Sequence, residues 1–229
     1  MLLSSEEWQA VWLTLSVASR AVGFGLPLAV LAAWVLSRCC FPGRSLLNAL
    51  VHLPMVLPPV VTGWLLLILF GIHGPIGLIL NHWLGVRLAF TTAGASLACA
   101  TMTFPIMVRS VRLSLDAVDA GLEQAAHTLG AGWLDRLFNI TLPLASPGIL
   151  VGGIIAYATC LGEFGAVITF AANIPGQTQT LPLAIYAALQ MPGGETKAGV
   201  LSIISLTLAL VGLLLSEWIG KRLNLILGR

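Results

Sequence analysis

The 229-residue chain is too apolar for a soluble domain: 58% of its residues are hydrophobic, 9% are charged, and its mean hydropathy is +0.97. Because soluble domains carry about a quarter charged residues, most of this surface must face lipid, and we expect a polytopic membrane protein. The net charge of +2 gives no sign of nucleic-acid binding. The four cysteines lie in or beside apolar stretches without ligand-like spacing, and they indicate neither a disulfide framework nor a metal site.

The apolar runs predict an all-α fold with five transmembrane helices, forming a single transmembrane domain over residues 1–229. The first run follows acidic Glu6 and Glu7 and is about 27 residues long, too long for a cleaved signal sequence. A span needs about 20 residues to cross about 30 Å of hydrocarbon. Five stretches qualify: Val11–Ser37, Leu46–Phe70, Thr91–Val108, Pro147–Ala171 and Ala198–Ser216. Two shorter runs, Ile76–Leu84 and Leu181–Met191, predict short helices at the outer face or re-entering between the spans.

Lysine and arginine predict the orientation, because cytoplasmic loops of membrane proteins hold an excess of them. With the N-terminus outside and the C-terminus inside, eight basic residues are inside and two, Arg87 and Lys197, are outside. The eight are Arg38, Arg44, Arg109, Arg112, Arg136, Lys221, Arg222 and Arg229. Arg20 is left within the first span.

Residues 113–143 form the one long segment predicted to lie in the cytoplasm, and they hold four of the nine acidic residues. Asp119 is a candidate N-cap for a helix over Ala120–Leu129, and Gly130 is a candidate left-handed stop. A second short helix is predicted over Trp133–Ile140, closed by Pro143. The first helix is too short to be stable alone, so we expect it to pack on something else.

This segment resembles the cytoplasmic signature of ABC importer permeases, E-A-A-x-x-x-G-x9-I-x-L-P. The matching residues are Glu123, Gln124, Ala125, Ala126, Gly130, Ile140, Leu142 and Pro143. Gln124 stands at the position of the signature's glutamate, and Glu123 precedes it. The resemblance implies that these residues couple the chain to an ATP-hydrolysing subunit, with small alanines seated in a cleft and Gly130 reversing the chain. The alternative is a surface helical hairpin on some other membrane protein.

Two further stretches are similar to the permease subunits of bacterial molybdate importers, with sulfate and thiosulfate permeases as relatives. They are residues 52–63 and residues 162–182, and they supply the candidate pathway or gate residues Pro54, Pro58, Pro59, Thr62, Glu163, Asn173, Pro175 and Gly176. The three prolines predict a kink or an interruption in the second span. Two interpretations of such a break are open. It either turns backbone dipoles toward a passing ion, or it has no direct functional role. The loop from Asn173 borders the outer mouth of a pathway, or it is an ordinary connection.

Glu163 and Arg20 are predicted to lie at similar depth in the membrane. A carboxylate is costly in lipid and repels a passing anion, so it must be paired or hydrogen-bonded. Two arrangements satisfy this: an ion pair with Arg20, or capping of backbone donors where Gly162 and Gly165 loosen the helix. A structural role for Glu163 and a gating role both remain open.

The resemblance implies a non-catalytic permease subunit of an ATP-driven importer for molybdate and tungstate, or alternatively for sulfate or thiosulfate, in the inner membrane of a bacterium. No G-x-x-x-x-G-K-[ST] phosphate loop is present, so ATP and Mg²⁺ are expected on a separate dimeric cytoplasmic subunit. The other expected partners are a second copy of the chain and an extracytoplasmic molybdate-binding protein. A secondary transporter or a membrane-embedded enzyme are remote alternatives, since we find neither repeated halves nor clustered catalytic residues.

Overall fold

The computed structural model describes residues 4–226, and the regular structure in that range is helical. Arg229, one of the eight basic residues predicted to lie inside, is not among the described residues. The helices are α1 (Ser5–Arg38), α2 (Arg44–Val56), α3 (Pro59–Phe70), α4 (Pro75–Leu84), α5 (Thr92–Asp116), α6 (Ala120–Thr128), α7 (Trp133–Arg136), α8 (Leu142–Leu161), α9 (Gly165–Ala171), α10 (Leu181–Leu189) and α11 (Glu195–Ile226). A π-helical turn, Leu137–Thr141, joins α7 to α8.

Within the described residues, four helices are long and apolar enough to cross a membrane, and a bent pair makes a fifth candidate. The four are Ser5–Arg38, Thr92–Asp116, Trp133–Leu161 and Glu195–Arg222. The pair is α2 with α3, bent by 119°. Each predicted span therefore has a counterpart, although the second crosses as one span only if α2 and α3 act together.

The helix ends fall at two opposite faces of the bundle. One face, which we call the coupling face, carries residues 113–143 together with the end of α1 and the start of α2. At the opposite face, Lys197 at the start of α11 pairs with Glu6 at the start of α1, with 3.8 Å between Nζ and Oε2. On that face the Thr92 hydroxyl donates to the Gln177 carbonyl at 2.8 Å. The short helices α4 and α10 confirm the two predicted short elements.

The predicted interruption of the second span is confirmed at Leu57 and Pro58. Pro58 is the N-cap of α3 and Pro59 is its first residue, where the missing N–H costs no helical hydrogen bond. Pro54 instead lies inside the last turn of α2, which ends at Val56. The adjacent prolines therefore end one helix and begin another in a new direction.

The fourth span differs from its prediction at both ends. A single helical run extends from Trp133 to Leu161, so the predicted closure at Pro143 is wrong. In the π-helical turn the Leu142 N–H donates to the Leu137 carbonyl, five residues back. This wider turn accommodates Pro143 at the start of α8 without ending the helix. The span then breaks at residues 162–164, before α9, where the prediction had it continuous.

Small side chains allow α1 to pack closely against α5. Ala18, Ala21 and Ala29 on α1 are buried, and a Cβ added at Gly25 would lie 2.9 Å from the Cε of Met107. Lipid supplies no hydrophobic drive between helices, so such close van der Waals packing stabilises the bundle. Since α8 also packs against both helices, α1, α5 and α8 form the centre of the fold.

The two helix breaks lie against each other, because α3 packs along α9. A Cβ added at Gly165, the first residue of α9, would lie 2.7 Å from the Cβ of Pro59. A Cβ added at Gly63, one turn further along α3, would lie 2.7 Å from the Ala166 carbonyl oxygen. Glycine at both positions is therefore required for this close approach.

Gly63→Ala should separate α3 from α9, because the new Cβ would lie 2.7 Å from the Ala166 carbonyl and 2.8 Å from the Cβ of Thr169. We expect a cost of about 1–3 kcal/mol, measured as a lower Tm of the detergent-solubilised chain. Gly23→Ala is the matched control, since its Cβ would have no atom within 4 Å. An equal Tm for the two variants would contradict the packing of the breaks.

Candidate functional site

The first helix of the coupling face, α6, is capped at both ends by local interactions. The Asp119 carboxylate accepts from the Gly121 N–H at 2.7 Å, which confirms Asp119 as the N-cap. At the other end Gly130 has a φ of +88° and donates its N–H to the His127 carbonyl at 3.0 Å. The predicted left-handed stop is thus confirmed, and the chain reverses immediately after α6.

Glu123 attaches α6 to the transmembrane bundle. Its Oε1 lies 3.0 Å from Nη2 of Arg38, at the end of α1, and accepts from the Thr141 hydroxyl at 2.8 Å. The same Arg38 nitrogen donates to the Leu115 carbonyl at 3.2 Å, at the end of α5. Both charged side chains are about three-quarters buried, with 26% and 22% of their surfaces exposed. One ion pair therefore joins α6 to the ends of α1 and α5 and to the turn before α8.

The predicted coupling residues divide between the two sides of the segment. The half-buried ones are Glu123, Ala126, Ile140 and Leu142, and the exposed ones are Gln124, Ala125, Gly130 and Pro143. Glu123 points inward to the bundle, so Gln124 rather than Glu123 lies on the exposed surface of α6. The structure thus separates an attachment side from a free side within the resembling stretch.

Sequence reasoning missed a group of large apolar side chains on the exposed surface of this segment. They are Leu122, Leu129, Trp133, Leu134 and Phe138, which are 50–88% exposed. Exposed apolar groups in contiguous arrangement mark interaction sites. The sequence pattern that could have identified them is the presence of large apolar residues within residues 113–143, the stretch that holds the most acidic residues. We call this group the coupling surface.

The candidate pathway residues lie in four places rather than in one cluster. Pro58, Pro59 and Glu163 lie at the two helix breaks, which contact each other. Pro54 lines a cavity of about 570 Å³ between α1, α2 and α5. Asn173, Pro175 and Gly176 follow α9 at the opposite face. Thr62 is buried on α3, and its hydroxyl has no hydrogen-bond partner within the described residues.

Glu163 caps α9 and does not pair with Arg20. Its Oε1 accepts from the Ala166 N–H at 3.0 Å, which satisfies a backbone donor at the helix break. Arg20 is exposed beside the cavity that Pro54 lines, and no ion pair within residues 4–226 includes it. Of the two predicted arrangements, the capping one is confirmed and the ion pair is wrong, because residues at similar depth need not share a face.

The loop after α9 has a strained residue and is held by the side chain of Thr178. Ala172 has a φ of +61°, which is costly for a residue with a Cβ. Thr178, which is buried, accepts from the Ile174 N–H at 3.0 Å and donates to the Ala172 carbonyl at 3.1 Å. The Asn173 Oδ1 is buried and has no partner among the described residues. Pro175 is exposed, at the tip of the loop.

Residues 25–225 match the model described as the binding-protein-dependent transport system inner membrane component. The chain belongs to this family. The match includes residues 113–143, which we call the coupling segment, and both helix breaks.

Curated relatives match this chain over nearly its full length. A molybdenum transport system permease protein ModB of Escherichia coli (strain K12) is 55% identical over 221 residues, which cover 96% of each chain. The protein of the same name from Haemophilus influenzae is 49% identical over 223 residues, 97% of each chain. The sulfate transport system permease protein CysT of Escherichia coli is 36% identical, covering 91% of this chain and 76% of its own length.

Solved structures share the fold at low sequence identity. A bacterial alginate ABC transporter, in complex with its periplasmic protein bound to an alginate pentasaccharide, has a chain that superposes with a TM-score of 0.77 at 20% identity. The match covers 96% of this chain and 80% of that one. A chain of the inward-facing MetNI methionine ABC transporter superposes with a TM-score of 0.73 at 16% identity, covering 96% and 99%.

Gly130→Ala should loosen the end of α6, since a left-handed φ of +88° disfavours any Cβ by about 1–2 kcal/mol. We expect faster hydrogen exchange at the amides of Ala120–Thr128, measured by mass spectrometry on the full chain. Gly132→Ala is the matched control, because its φ is −64° and its Cβ would have no atom within 4 Å. Unchanged exchange in Gly130→Ala would show that the stop does not hold the helix.

Proposed function

We propose that the chain is the permease subunit of an ATP-driven importer of molybdate, with tungstate as a second substrate. The observation that carries the proposal is the 55% identity to a molybdenum transport permease over 96% of the chain. Sulfate and thiosulfate are the alternative substrates, because a sulfate transport permease is 36% identical over 91% of the chain. Residues 1–229 form a single transmembrane domain in the inner membrane of a bacterium.

Residues 113–143 couple this chain to an ATP-hydrolysing partner. The coupling surface offers Leu129, which is 88% exposed, together with the exposed Gln124 and Ala125. Glu123 attaches the opposite side of the segment to the bundle. A displacement of the coupling surface is therefore transmitted to α1 and α8. The chain is itself non-catalytic, and ATP with Mg²⁺ binds to a separate dimeric cytoplasmic subunit.

Two copies of the chain form the pathway between them, with five spans in each copy. The helix breaks at Pro58 and Glu163 place irregular backbone within the bundle, which is tolerated where it is buried in protein or lines a cavity. An extracytoplasmic binding protein delivers the oxyanion to the opposite face, where the loop from Asn173 lies. The N-terminus is outside and the C-terminus is inside, which places the coupling face in the cytoplasm.

The orientation can be tested on the native cysteines. Cys40 is exposed in the loop between α1 and α2 at the coupling face, whereas Cys99 and Cys160 are buried. A membrane-impermeant maleimide should label the wild-type chain in inverted vesicles and not in spheroplasts. Cys40→Ser combined with Cys39→Ser, the half-buried neighbour, should remove this label, and Glu195→Cys in that background should restore labelling in spheroplasts only. The reverse pattern would overturn the proposed orientation.

The role of Glu163 can be tested by separating its charge from its hydrogen bond. Glu163→Gln keeps an oxygen that accepts from the Ala166 N–H, so we expect near-normal transport with a modest loss of assembled protein. Glu163→Ala removes the cap and should lower Tm, at a cost of about 0.5–2 kcal/mol. Full assembly of Glu163→Gln with transport abolished would instead assign the charge to gating.

The proposed function is tested by uptake in cells that lack this chain. We expect loss of high-affinity ⁹⁹Mo-molybdate uptake with little change in ³⁵S-sulfate uptake, and a plasmid copy should restore the first. Leu129→Asp should insert normally but fail to restore uptake, because it places a charge on the coupling surface. Leu129→Met is the matched apolar control. Loss of sulfate uptake instead would favour the sulfate alternative.

A further inference from the structure

A polar site lies between the coupling segment and the end of α1. It is a cavity of about 270 Å³ at the coupling face. Its lining consists of Trp34, Arg38, Glu123, Trp133, Arg136, Leu137 and Thr141. None of the predicted pathway residues lines it, and it shares Trp133 with the coupling surface.

The cavity carries an excess positive charge. Glu123 compensates Arg38 through their ion pair. Arg136, on α7, makes no ion pair within the described residues. The neighbouring acid on that helix, Asp135, is bonded to the side chain of Asn139. Two arginines and one glutamate therefore leave a net charge of +1 in the lining.

Both arginines also have an unused donor. The Nε atoms of Arg38 and Arg136 are buried, and neither has a hydrogen-bond partner within residues 4–226. A buried donor without a partner is destabilising, and more so when it belongs to a charged group. An anion with several acceptor oxygens would satisfy both donors and neutralise the charge, since the guanidinium fork matches phosphate and carboxylate geometry.

The size and walls of the cavity define the class of anion. Its volume is several times the roughly 30 Å³ occupied by one water molecule in the liquid, so a tetrahedral oxyanion fits with water beside it. The rings of Trp34 and Trp133 form part of its wall, with centroids 6.4 Å apart. Tryptophan is characteristic of the membrane–water interface, and basic pockets between helices at that depth bind lipid headgroups.

We propose that this cavity binds a phosphate-class oxyanion, held by Arg38 and Arg136. The source is either the phosphodiester of an anionic lipid or a free tetrahedral oxyanion at the coupling face. The bound anion bridges the end of α1 and the helix that starts at Trp133, so occupancy tightens the coupling segment against the bundle.

Two assays on the full chain in nanodiscs distinguish the sources. The first titrates sodium phosphate at constant ionic strength in phosphatidylcholine discs and follows tryptophan fluorescence, because Trp34 and Trp133 line the cavity. The second measures by native mass spectrometry how much phosphatidylglycerol or cardiolipin the chain retains from mixed discs. A phosphate response identifies a free oxyanion, and retained anionic lipid identifies the headgroup.

Arg136→Gln should weaken whichever signal appears by at least about tenfold, the loss expected for a charge-assisted hydrogen bond. Arg136→Lys should lie between this variant and the wild type, since it keeps the charge without the fork. Arg109→Gln, which removes an exposed arginine of α5 that does not line the cavity, is the matched control and should behave as the wild type. No signal in either assay, or an equal loss in Arg136→Gln and Arg109→Gln, would overturn the proposal.

Discussion

The ion pair between Arg38 and Glu123 is the interaction on which the coupling face depends. A nine-residue helix such as α6 is not stable by itself in water. Its cap at Asp119 and its stop at Gly130 define its ends, but neither fixes its position. Glu123 does so, because one carboxylate oxygen contacts Arg38 at 3.0 Å and Thr141 at 2.8 Å. Partial burial makes this pair stronger than an exposed one, and removing either partner leaves a charge unpaired.

A continuous helical run connects the attachment at Glu123 with the apolar part of the bundle. The run from Trp133 to Leu161 has 29 residues, which corresponds to about 43 Å at 1.5 Å per residue. One end is the coupling segment, and the other is the break that Glu163 caps, packed against the break at Pro59. The run therefore connects the segment that holds α6 to the two interrupted spans. This connection gives a physical route from an ATP-driven partner to the proposed pathway.

Local signals in the sequence predicted much of this architecture, and distant contacts explain the rest. Apolar run lengths predicted the long apolar helices and the short helices α4 and α10, and Asp119 and Gly130 predicted the ends of α6. The continuity through Pro143 was missed, because it depends on a π-helical turn that no residue pattern marks. The partner of Glu123 is 85 residues away, and the depth of Glu163 along its helix does not determine which way its side chain faces.

The most direct test of this account is a double-mutant cycle of Arg38→Gln and Glu123→Gln. Hydrogen exchange at the amides of Ala120–Thr128 would be measured by mass spectrometry on the full chain in nanodiscs, with Gln124→Ala as the exposed control. We predict faster exchange in each single variant, and no further increase in the double variant, because the second change removes an interaction already lost. Unchanged exchange in the single variants, or additive effects in the double variant, would contradict the claim that this ion pair holds the coupling segment.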